Sequence, residues 1–112
     1  MKRHMLTSDQ WSTVQRLVDW LDAHNGRGAE ELGQRILKLT EEVGEVAQAW
    51  IGAQGQNPRK GTTHTAEDVR GELCDVIVTA AVALASLTES PREVLDAELA
   101  RIAARADRQP SG

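Results

Sequence analysis

Five acidic residues fall into two short groups whose spacing suits metal chemistry: Glu41, Glu42 and Glu45, and then Glu72 and Asp75. On a helix, residues three and four apart stand side by side, so Glu41 and Glu42 each neighbour Glu45, and Glu72 neighbours Asp75. Like charges at that spacing repel by roughly 0.2–0.5 kcal/mol per pair even on an exposed helix. Lys38, one turn before Glu42, offsets only part of this.

The second group lies in an apolar setting. Projected as a helix, the segment around it places Asp68, Glu72, Asp75, Thr79 and Ser86 on one narrow stripe. From Leu73 onward nearly every other position is apolar, which predicts burial on most sides. An ionised carboxylate there carries a desolvation cost of several kcal/mol unless it is paired, hydrogen-bonded or coordinated. Antiparallel packing of the two acid-bearing segments brings their carboxylates to one point, and a divalent cation at that point relieves both the repulsion and the desolvation. Oxygen-only donors favour Mg²⁺, with Mn²⁺ as the alternative, over zinc or iron. The partner of each acid at the i, i+3 position is another acid, where di-iron bundles place a histidine.

Four helices are expected to position these residues. The first is predicted over about Ser8 to His24, with a capping-box pair in Thr7 and Gln10, a stop at Asn25-Gly26, and Trp11, Val14, Leu17, Val18 and Leu21 on one face. The second is predicted from about Glu30 to Ala53. A turn-rich loop between Gly52 and His64 follows, longer than the usual connection and of the kind that often carries function. The third helix is expected over Ala66 to Leu87, with Thr65 and Asp68 at capping-box spacing. The fourth opens at Ser90-Pro91-Arg92-Glu93, an N-cap, a first-turn proline and a third-position glutamate in agreement. It is expected to reach Ala106. The expected organisation is one all-α, four-helix domain over residues 1–106 with antiparallel central helices, and a flexible tail over 107–112.

Composition narrows the partners. At 112 residues with 40% hydrophobic and 27% charged residues, the chain has the balance of a single folded domain. A net charge of −4 argues against a nucleic-acid polymer, which calls for a basic face, but leaves a single nucleotide open if a metal neutralises its phosphates. One cysteine, Cys74, fits a reducing cytoplasm. It reads as a buried, inert thiol. Neither a secretory leader nor a membrane-spanning apolar run is expected.

Glu41-Glu42-Val43-Gly44-Glu45 followed by Glu72-Leu73-Cys74-Asp75 resembles the EExxE…ExxD signature of the MazG-like, all-α nucleoside triphosphate pyrophosphatases, over roughly Glu30 to Leu87. The resemblance implies Mg²⁺-dependent hydrolysis of a nucleoside triphosphate between its α- and β-phosphates, giving a monophosphate and pyrophosphate. By position, Glu42, Glu45, Glu72 and Asp75 would ligate metal and Glu41 would orient or deprotonate the attacking water. The fourth helix departs from the family pattern, which often has a lysine and an asparagine there for phosphate. This segment offers Arg101 and Arg105, as surface charges or as substitutes.

Arg59 and Lys60 in the long loop read as solvated charges or as phosphate contacts, and Lys38 as a helix-pairing charge or a phosphate contact. Trp20 and Trp50 read as core residues ahead of base-stacking platforms. Two function classes remain: a nucleotide pyrophosphohydrolase in nucleotide-pool housekeeping, and a non-catalytic helical module that keeps the metal cluster as a staple or partner site. The apolar third helix, with alanines at 80, 81, 83 and 85, exceeds what three one-sided helices can cover. A homodimer or homotetramer is therefore expected to complete the bundle.

Overall fold

Capping chemistry sets the helix boundaries. In the computed structural model, which describes residues 4–108, α1 spans Ser8–Asn25, α2 Ala29–Gln54, α3 Ala66–Leu87 and α4 Pro91–Arg108. No strand occurs among the described residues. Both expected capping boxes form. The Thr7 side chain accepts from the Gln10 N–H while the Gln10 side chain accepts from the Thr7 N–H, and Thr65 and Asp68 repeat the exchange before α3. At the end of α1, Gly26 turns the chain at φ 78° and its N–H reaches the Asp22 carbonyl, a conformation that costs a residue with a Cβ more than it costs glycine. Helix α4 continues two residues beyond the expected stop, through Asp107 and Arg108. The rest of the expected tail, 109–112, lies outside the described residues.

The core is thin. Trp11, Val14 and the fully enclosed Val18 of α1 pack on Ala81 and Ala85 of α3, with Leu6, Val82, Leu84 and Leu95 at its margin. Alanine lets the α1 and α3 backbones approach closely, which is why large α1 side chains suffice without phenylalanine or tyrosine. Helices α2 and α3 form an antiparallel pair. Near one end Arg35 of α2 donates to Ser86 of α3, and at the other Gly52 of α2 accepts from the Thr63 N–H just before α3. Helix α4 is held mainly at its start, where Arg92 Nη1 donates to Ser8 Oγ at 2.6 Å and His4 pairs with Asp96.

Several expectations of burial are corrected. Within the single chain α3 is covered on two sides only, and Leu73, Ile77 and Val78 are exposed, Ile77 by 57%. Cys74 is exposed. Trp20 and Trp50 are exposed rather than core, and Trp20 stacks on His24 with ring centroids 4.2 Å apart. Periodicity marks a face as apolar, whereas burial depends on whether another element reaches it. No single helix among the described residues is long and apolar enough to cross a membrane; α3 and α4 meet that test only as a pair bent by 117°.

Candidate metal centre

The antiparallel α2–α3 pair carries the two acidic groups to the same level of the bundle. Glu42 and Glu45 of α2 and Glu72 of α3 each offer a carboxylate oxygen, and these oxygens lie within 4.8 Å of one another. Glu42 and Glu72 are half-buried and Glu45 is exposed. Three carboxylates gathered this closely repel one another, with solvent screening strongest at the exposed Glu45. Among the described residues the cation paired with this group is Lys38, with Nζ 3.7 Å from Glu42 Oε1 and a side chain open to solvent. Glu72 Oε2 is enclosed without a hydrogen-bond partner among the described residues, the costly condition for a charged oxygen. The donor set is oxygen only, it includes one enclosed oxygen lacking a partner, and its charge exceeds what Lys38 balances, so these residues fit a hard divalent cation.

The remaining expected site residues are dispersed. Asp75 stands one turn beyond Glu72, exposed and outside the group of three. Glu41 is exposed and faces a hollow of about 300 Å³ between α1 and α2, shared with Leu21, Asn25, Gln34, Leu37 and Lys38. Arg59 is exposed in the long loop, where its backbone N–H donates to Asn57 Oδ1. Lys60 lines a second hollow of about 240 Å³ with Gln48, Asn57, Thr63 and His64. On α4, Arg101 is paired with Glu98 of its own helix, and Arg105 is exposed on the last turns.

A buried arginine that none of the sequence motifs included holds the other end of the α2–α3 pair. Arg35, 5% exposed, donates from Nε to Glu31 Oε2 at 2.8 Å, from Nη1 to Asp22 Oδ1 at 2.9 Å and Ser86 Oγ at 3.0 Å, and from Nη2 to the Gly26 carbonyl at 3.0 Å. Arg27 adds a 2.7 Å contact to Asp22 Oδ2. Desolvation pushes the Asp22 carboxyl upward, but hydrogen bonds and charge from Arg27 and Arg35 hold it below the ordinary carboxylate value. Ser86, expected on the acidic stripe, therefore serves this junction and not the metal. The legible signal was the i, i+4 pair of Glu31 and Arg35. Comparison with protein-family models, curated proteins and solved structures finds no match to this chain.

Proposed function

We propose that this chain is a Mg²⁺-dependent nucleoside triphosphate pyrophosphohydrolase of the MazG-like, all-α kind, acting on nucleotide pools in the cytoplasm. The carrying observation is the convergence of Glu42, Glu45 and Glu72 around the enclosed, unpartnered Glu72 Oε2. Glu42, Glu45 and Glu72 would hold the ion, with Asp75 reaching in from the next turn. A bound Mg²⁺ supplies charge neutralisation for the phosphates and polarises water.

Glu41 lies outside the three-carboxylate group and remains free to accept a proton from water attacking the bond between the α- and β-phosphates. Water adds its oxygen to phosphorus, its proton passes to Glu41, and pyrophosphate departs from the monophosphate. The hollow beside Glu41 combines Leu21 and Leu37 with the amides of Asn25 and Gln34 and the Glu31–Arg35 ion pair, apolar surface beside hydrogen-bonding groups of the kind that hold a nucleoside. The same reading makes the chain a homo-oligomer, because the apolar faces of α2 and α3 want cover.

A second reading has its own support. Arg101 is engaged by Glu98 and α4 barely touches α3 beyond its start, which favours a non-catalytic metal-binding module. Incubation with Mg²⁺ and a panel of canonical and modified nucleoside triphosphates separates the two. Monophosphate and pyrophosphate in equal amounts support the enzyme. Metal binding without turnover across the panel would leave the module.

A further inference from the structure

The ridge of α2 that carries the glutamates does not end with them. Glu41, Glu45, Gln48 and Gly52 follow one another at steps of four, three and four residues, so they form one continuous line along the helix. Gln48 and Gly52 line the 240 Å³ loop hollow together with Ile51, Asn57, Lys60, Gly61, Thr63 and His64. At 1.5 Å per residue the hollow begins about 5–10 Å along the helix from Glu45.

Its chemistry is opposite to that of the glutamates. No acid lines it, and Lys60 makes no ion pair among the described residues. The amides of Gln48 and Asn57 add neutral donors. His64 Nδ1 is engaged with Thr63 Oγ1 at 2.9 Å, and when Thr63 is the donor the neutral ring carries its proton on Nε2. Asp68, four residues further on, is committed to capping α3, accepting from the Thr65 N–H at 2.9 Å.

The negative end of α2 is muted as well. The Gly52 carbonyl accepts from Thr63 N–H at 3.0 Å and Gly55 N–H at 3.3 Å, and the Ile51 carbonyl from Gln56 N–H at 3.2 Å. The loop is held in place by close approach, since a Cβ on Gly52 would collide with Thr63 Oγ1 and His64 Nδ1.

We propose that this hollow is the subsite for the distal phosphates of the nucleotide, the portion that leaves as pyrophosphate, with Lys60 and His64 as its determinants. The proposal rests on the metal reading above: metal at the glutamates would hold the phosphate chain at one end of the ridge, and the loop would engage its far end. It replaces α4 as the source of cationic contacts and predicts a preference for triphosphates over monophosphates.

Calorimetry tests it on the whole chain, with Mg²⁺ alone and then with inorganic pyrophosphate added to the Mg²⁺-saturated protein, for wild type, Lys60→Gln, His64→Gln and Lys60→Arg. Loss of one charge-assisted contact should weaken pyrophosphate about tenfold in Lys60→Gln. His64→Gln should also weaken it, Lys60→Arg should retain most of the affinity, and Mg²⁺ affinity should be the same throughout. Wild type that binds Mg²⁺ but not pyrophosphate, or that binds pyrophosphate no better than Lys60→Gln and His64→Gln, overturns the loop subsite and leaves the metal reading standing. Wild type that binds no Mg²⁺ overturns the metal reading, and this inference with it.

Discussion

Glu72 is the residue on which the proposed chemistry turns, because one of its oxygens is both enclosed and without a partner. Without metal it is a source of repulsion, and with metal it becomes a ligand. Glu72→Gln is therefore expected to weaken Mg²⁺ binding by at least about 100-fold, more than loss of a group outside the ligand set, while raising the melting temperature in chelator. Wild type should gain roughly 10 °C when Mg²⁺ stands about 100-fold above its dissociation constant. Thermal scans in EDTA and in Mg²⁺ check both. A Glu72→Gln protein that melts like wild type in each condition would remove the metal centre. Glu41→Gln should leave Mg²⁺ affinity unchanged while lowering turnover by about 100-fold. Asp75→Asn should weaken the metal less than Glu72→Gln does, since its carboxylate stands outside the converging group.

At the scale of elements, the α2–α3 pair that brings the glutamates together is pinned at its opposite end by Arg35. Arg35→Ala would leave Asp22, Glu31 and the Gly26 carbonyl without their shared donor and is expected to cost about 3 kcal/mol of folding free energy, measured by urea unfolding. The same junction gives an acid limb of defined sign. Asp22 is held below its ordinary value of 3.8 by Arg27 and Arg35 against the upward pull of desolvation. A carboxyl depressed in the folded state stabilises fully above its unfolded value and loses that contribution as pH falls through the folded one. Asp68, Asp96 and Glu98 are depressed too, so wild type should destabilise progressively below about pH 4. Asp22→Asn should be less stable at neutral pH and lose less on acidification. Parallel acid limbs for the two proteins would show that the Asp22 contacts contribute nothing.

The whole molecule is too open for its size. Its Cα radius of gyration is 17.4 Å, against about 13 Å for a compact chain of this length. Its accessible surface is 8387 Å², where a compact monomer of this mass exposes about 6,100 Å². Apolar helix faces are part of that exposed surface. Ile36, Val43 and Trp50 on α2 and Leu73, Ile77 and Leu87 on α3 are all exposed, and helical projection puts them on the side of the pair away from Glu45 and Asp75. Two copies meeting on this side would leave both glutamate groups outward. The proposed dimer should scatter light as about 24 kDa, twice the 12.2 kDa chain, and Ile77→Glu should weaken it about 30-fold or more. A mass near that of one chain at micromolar concentration would refute it.

Helix number, type and boundaries were fixed by the sequence to within about two residues, because they depend on local chemistry. Thr7 with Gln10, Thr65 with Asp68, and Gly26 after Asn25 act through neighbouring backbone groups. The spacing of Glu42, Glu45 and Glu72 also made a shared carboxylate site legible, since two antiparallel helices joined by one loop leave few other arrangements. Tertiary structure decided the rest. It placed Asp75 outside the converging group, buried Arg35 under a junction of three segments, and folded Thr63 and His64 back onto Gly52. It also left α3 half bare. Each of these depends on which remote element arrives at a residue, and that is set by packing across dozens of residues, to which periodicity along one helix is blind.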